Sequence, residues 1–173
     1  MRDDFVKPIL VLALICLVVS GALAVTNGIT EPVIADAAVQ REKAARNEII
    51  PAANDFDVLK VDGLPETVTE VYKSTNDVGY IFVLSTSGYG GELTLLCGVS
   101  PEGVLIRCMT LEHSETKGLG SRVTEQQFEN QFIGMGAGLD GVEAISGATI
   151  SSRAYIGAVR DALAAFETVV KMG

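Results

Sequence analysis

The pattern of apolar and polar positions divides the chain into three stretches. From Pro8 to Val25 it reads PILVLALICLVVSGALAV, 18 residues without a charge. As a helix this spans about 27 Å, close to the hydrocarbon thickness of a bilayer. A membrane anchor over residues 1–27 follows. The small-x-small triplet Ala22-Leu23-Ala24 offers a cleavage site and with it the alternative of a removed signal peptide, but the apolar block is longer than a usual signal core, which favours retention. Arg2 and Lys7 precede the block and Asp3 and Asp4 dilute them, a flank that places the N-terminus in the cytoplasm and the rest of the chain on the other side of a single-pass cell membrane protein. No Cys follows a small residue at the end of the block, so a lipid-anchored lipoprotein is not supported.

Next comes EPVIADAAVQREKAARNEII, with Pro at a first-turn position and acidic residues early, which predicts a linker helix over 28–50 ended by Pro51. The third stretch, 51–173, is β-branched and punctuated by glycine. Its runs VTEVYKS, GYIFVLSTS, ELTLLCGVS and VLIRCMTLEHS predict an antiparallel sheet. VTEQQFENQFI, with Phe128 and Phe132 four apart and Thr124 as N-cap, predicts a short helix. Helical spacing of Ala154, Ala158, Leu163, Phe166 and Val170 predicts a second, from Ser151 to Met172, stopped by Gly173. The fold class is therefore α+β: an N-terminal transmembrane helix, then an extracytoplasmic domain with an antiparallel sheet packed against helices.

Charge and cysteines narrow the function classes. The 13 Lys and Arg against 22 Asp and Glu give a net charge of -9, and since Arg2 and Lys7 cancel Asp3 and Asp4, the whole excess lies beyond the anchor. Nucleic acid is excluded as a partner, because phosphate contacts need a basic patch. Two of the three cysteines, Cys97 and Cys108, lie on strands joined by the turn Ser100-Pro101-Glu102-Gly103. Pairing Val99 with Val104 sets Cys97 against Ile106 and Cys108 against Leu95. The thiols are then diagonal, about 7–8 Å apart, where a disulfide needs Cβ atoms about 4 Å apart. Both read as small buried apolar residues, and no metal-ligand spacing is present.

Three Gly-containing segments are candidates for chemistry. Ser146-Gly147-Ala148-Thr149 lies where a strand-like VEAI run meets the last helix. On its own it reads first as an ordinary turn capped by Thr149, Ser151 or Ser152, although the amides at such a helix start would suit a phosphate. Glu115-Thr116-Lys117-Gly118-Leu119-Gly120 is a tight loop after a strand, without the spacing of a dinucleotide fingerprint. Ser87-Gly88-Tyr89-Gly90-Gly91 reads as a hairpin loop. His113, the one His, reads as structural, and no nucleophile-base pair supports a hydrolase.

Taken in order, the GYGG loop, the ETKGLG loop, the Phe-rich QQFENQF segment and EAISGATISS before a C-terminal helix resemble the FMN-binding domain found in the G subunit of Rnf ion-translocating electron transport complexes. The resemblance runs over most of residues 78–170 and assigns an FMN-binding domain to 51–173. It implies FMN joined through a phosphoester to Thr149, installed by a flavin transferase that takes FMN from FAD and reads Ser146, Gly147 and Ala148. It further implies Ile150, Glu115, Thr116, Gly118, Leu119 and Gly120 as cofactor-binding residues, with Glu115, Thr116 and Leu119 along the isoalloxazine ring. The chain departs from the family at Glu143, where Asp is common three residues before the motif's Ser, and at Lys117, where Pro is common and which reads as solvent-exposed.

The implied function is electron carriage between ferredoxin and NAD, coupled to ion movement, alongside the other Rnf subunits (A, B, C, D and E) and with membrane lipid around the anchor. No independent catalytic site is expected. Two alternatives are the C subunit of Na+-translocating NADH:quinone reductase, which is usually considerably longer, and a non-redox binding module whose SGAT turn is only structural.

Overall fold

The computed structural model describes the backbone of residues 2–172 and the side chains of 6–171. Helix α1 runs from Arg2 to Ile49 without interruption. Pro32 therefore sits inside it and does not open a new helix. A proline there removes one backbone donor, and Thr30 in the preceding turn donates to the Thr26 carbonyl at 2.9 Å. Among the described residues α1 is the one helix long and apolar enough to cross a membrane. The chain divides into two compact units between Arg41 and Glu42.

The second unit is built on five antiparallel strands in sequential order: β1 (Phe56–Leu59), β2 (Val68–Ser74), β3 (Tyr80–Ser87), β4 (Glu92–Val99) and β5 (Leu105–His113). Period-two alternation sends Phe82, Leu84, Leu93, Leu95 and Cys97 to one face. Helix α3 (Thr149–Met172) covers that face with Tyr155, Val159, Ala162 and Phe166. Ile81, Val83 and Leu96 point the opposite way, where the last turns of α1 seal them with Ala45, Ile49 and Ile50. Gly98 makes this approach possible, since a Cβ there would collide with the Ile49 side chain. Arg46 stacks its guanidinium 4.0 Å from the Tyr72 ring centre and Glu48 pairs with Arg107 at 3.0 Å, so the end of α1 is an integral layer of this unit.

Four of the strands lie where the alternation predicts them. The fifth, β1, has only four residues, FDVL, with two of them exposed, too short a run for periodicity to register. The expected 123–133 helix is broken into a 3-10 turn (Gly120–Thr124), the single turn α2 (Gln126–Glu129) and a second 3-10 turn (Asn130–Phe132). Thr124 does not cap it, donating instead to the Ser121 carbonyl at 2.9 Å. Packing decides here: Phe128 and Phe132 meet edge-to-face at 5.5 Å and both rings close on Tyr155, at 5.3 and 5.2 Å. The VEAI run is irregular and forms no strand, because it pairs with no neighbour in the sheet. Helix α3 begins at Thr149, two residues before the predicted start, and the expected stop at Gly173 lies outside the described residues.

The β4–β5 register also differs from the expectation. Val99 pairs with Leu105 and Gly98 with Arg107, so Ile106 is an extra residue that shifts the ladder. Cys97 therefore stands directly opposite Cys108, with both side chains fully buried as expected.

Beside them Glu129 is buried, accepting from the Thr110 amide and hydroxyl through Oε1 at 2.7 and 2.9 Å. Burial raises its pKa above the usual carboxylate value despite those donors. The folded state thus holds a proton that the unfolded chain has released, and stability falls as pH rises from the ordinary carboxylate range through the raised folded value. Glu129→Gln keeps an acceptor for Thr110 without the charge. Thermal unfolding of this variant should show a higher midpoint at pH 7 and a flatter pH dependence above pH ~4.5; an unchanged slope would mean that Glu129 titrates normally.

Candidate functional site

The loop after β5 turns on Glu115, whose side chain is buried. Its Oε2 accepts from the Gly90 amide at 3.1 Å, and a Cβ added at Gly88 or at Gly120 would run into the carboxylate. Three glycines from two loops thus form the cradle of one acidic side chain, and only glycine leaves the space. Oε1 of Glu115 is buried with no hydrogen-bond partner among the described residues. His113 accepts from the Glu115 amide through Nδ1 at 3.2 Å, the structural role expected of it.

The start of α3 is fixed with equal care. Gly147 adopts a φ of +84°, which turns the chain into the helix. The fully buried Ser152 accepts from the Ile145 amide at 3.0 Å and donates to the Ala148 carbonyl at 2.9 Å. Ser152 also gives its amide to the Ala148 carbonyl, which makes Ala148 the N-cap and leaves the amides of Thr149, Ile150 and Ser151 without intrahelical acceptors. Arg122 reaches the Ser146 carbonyl at 3.5 Å. Ser151 Oγ accepts from the Tyr89 amide at 3.3 Å, joining the helix start to the GYGG loop.

These elements enclose an open cleft of about 410 Å³ lined by Tyr89, Thr116, Leu119, Gly120, Gly147, Ala148, Thr149, Ile150 and Ser151. That volume lies in the range of small-molecule sites. Tyr89, Leu119 and Ile150 are large apolar side chains left exposed at its rim, and the Thr149 side chain is exposed at its wall. Of the ten candidate residues from the sequence, Thr116, Leu119, Gly120, Gly147, Ala148, Thr149 and Ile150 come together here. Ser146 opens toward the neighbouring polar groove with Arg122, Gln131 and Glu143. Glu115 lies beneath the cleft as the strut described above, and Gly118 takes its positive φ of +80° in open space. Tyr89 and Ser151 complete the wall. An aromatic among three glycines was the available sign for Tyr89.

Residues 88–164 match the FMN-binding domain family. The chain is 32% identical to the G subunit of the Na+-translocating ferredoxin:NAD+ oxidoreductase complex of Acetobacterium woodii, across 94% of this chain and 91% of that relative. It is also 32% identical to the G subunit of the ion-translocating oxidoreductase complex of Methanosarcina acetivorans, across 92% and 93% of the two chains. The chain belongs to the G-subunit family of ion-translocating oxidoreductase complexes. The segment shared with the FMN-binding domain family begins at Gly88 and reaches into α3, so it contains every residue of the cleft.

The cleft fits FMN. Its rim supplies apolar surface for a planar ring system, and its wall carries the unpaired amides of a helix start for a phosphate. In this member of the G-subunit family the exposed Thr149 hydroxyl lies at the anion-favouring end of the site.

Proposed function

We propose that this chain is the covalently flavinylated subunit of a membrane-bound ferredoxin:NAD+ oxidoreductase that couples electron transfer to ion movement. The exposed hydroxyl of Thr149, on the first turn of α3 and on the wall of the cleft, is the observation that carries this reading. Thr149 Oγ attacks the phosphorus on the FMN side of FAD in a flavin transferase; the pyrophosphate bond breaks, AMP leaves, and the hydroxyl proton departs with it. The α3 amides and helix dipole favour the phosphodiester anion so formed. Gly147 gives the transferase an approach unobstructed by a side chain.

Tyr89, Leu119 and Ile150 would limit water at a bound flavin ring, and Glu115 holds the two glycine loops in register. FMN supplies one- and two-electron redox chemistry when bound. A covalent tether prevents loss by dilution on the outer side of the membrane, where the flavin domain stands in this reading, with α1 anchored in lipid and the A, B, C, D and E subunits as electron and ion partners. Membranes lacking this chain should lose ferredoxin-dependent NAD+ reduction, recover it with the wild-type chain and fail to recover with Thr149→Ala. Recovery with the variant would remove the covalent flavin from the electron path.

A further inference from the structure

Cys97 and Cys108 do nothing in the flavin site, yet they are placed as a pair. The extra residue Ile106 in β5 brings them directly opposite each other, on the face covered by α3. Both are fully buried and their Sγ atoms lie 2.7 Å apart. Directly opposed positions of an antiparallel pair are the ones whose Cβ separation approaches that of a disulfide, whereas the diagonal ones are not. Two sulfur atoms packed merely as apolar groups stand farther apart than this.

We propose that Cys97 and Cys108 form a structural disulfide that locks β4 to β5 beneath the flavin domain's helical layer. The inference rests on the exported placement proposed above, since cytoplasmic thiol pools keep such pairs reduced. The bond forms by exchange with the disulfide of an extracytoplasmic thiol oxidoreductase. One cysteine thiolate attacks that disulfide and makes a mixed disulfide; the second thiolate attacks in turn and closes the Cys97–Cys108 bond. Two protons and two electrons leave the pair, and the oxidoreductase departs as the dithiol. Timing follows from burial: neither sulfur is accessible once the domain has packed, and burial raises the Cys108 thiol well above its usual pKa, which disfavours its thiolate in the folded state. Exchange therefore takes place before α3 closes on the sheet. The finished bond is thereafter screened from reductants by the same packing.

Thiol trapping tests this on the full chain in its native membranes. Cells are quenched in acid, the protein is denatured and alkylated with iodoacetamide before or after reduction, and its intact mass is measured. With three cysteines in the chain, the bonded pair leaves only Cys16 free, so one alkyl group is expected before reduction and three after. Three groups before reduction overturn the proposal. Cys97→Ala should take two before reduction; one would show Cys108 bonded elsewhere and would also overturn it.

A separate variant, Lys60→Cys, places a thiol at an exposed position for a membrane-impermeant maleimide in right-side-out vesicles. Three alkyl groups on the wild type, with labelling of this variant from outside, mean that the pair stays reduced although the exported placement holds. Three groups with labelling only after lysis mean that the placement itself fails and the disulfide with it.

Discussion

Thr149→Ala should abolish covalently held flavin while leaving the domain folded. The side chain is exposed, the N-cap of α3 is Ala148, and the bonds that fix the helix start come from Ser152 and Ser151. Surface substitutions of this kind change stability by about 0.5 kcal/mol or less, a shift of a few degrees at most in the unfolding midpoint. Fluorescence of the denatured band under ultraviolet light should fall to background, since the neighbouring Ser151 is buried and its hydroxyl is engaged by the Tyr89 amide. A variant that stays fluorescent after denaturation assigns the attachment elsewhere. A variant that unfolds points to a structural role for Thr149 that the hydrogen bonding does not show.

Gly120→Ala carries the second large effect, and it acts through Glu115. Gly120 does not need a positive φ, so the added methyl group is opposed chiefly by the Glu115 side chain, its carboxylate most closely. Overfilling of this kind costs about 1–3 kcal/mol, and displacement of Glu115 would release the Gly90 amide and open the wall of the cleft. The rate of flavin attachment should drop about tenfold, the equivalent of about 1.4 kcal/mol on the activation barrier. In a Glu115→Ala background the same Gly120→Ala change should cost less than about 0.5 kcal/mol, because its collision partner is gone. Additive unfolding energies across this cycle would show that Gly120 and Glu115 do not meet.

The course of the chain was legible where side chains alternate over seven or more residues, as in β2 to β5, or recur at helical spacing, as in α3. It was not legible where tertiary packing overrules local pattern. Phe128 and Phe132 keep the spacing of a helix, yet their rings are held by Tyr155 across two tight turns and a single helical turn. The β4–β5 register escaped because two one-residue offsets add: the turn pairs Val99 with Leu105 instead of Val104, and Ile106 is then left as an extra residue. For the site, the small residues of SGAT marked a turn at a helix start and the glycines of ETKGLG a tight loop, and the structure brings both to one cleft. What the spacing did not disclose was what the glycines make room for. Gly88, Gly90 and Gly120 make room for the side chain of Glu115, and only through it for the site above. A carboxylate buried between loops distant in sequence leaves no periodic trace.

Covalent attachment of FMN at Thr149 can be read from the mass of one peptide. The chain is purified from its native membranes, denatured, digested and sequenced by mass spectrometry, with fluorescence used to follow the flavin. A single FMN is expected on the peptide that contains Thr149, with fragment ions placing the added phosphoester on that residue. An unmodified Thr149 peptide, from membranes in which a flavin transferase is active, would contradict it.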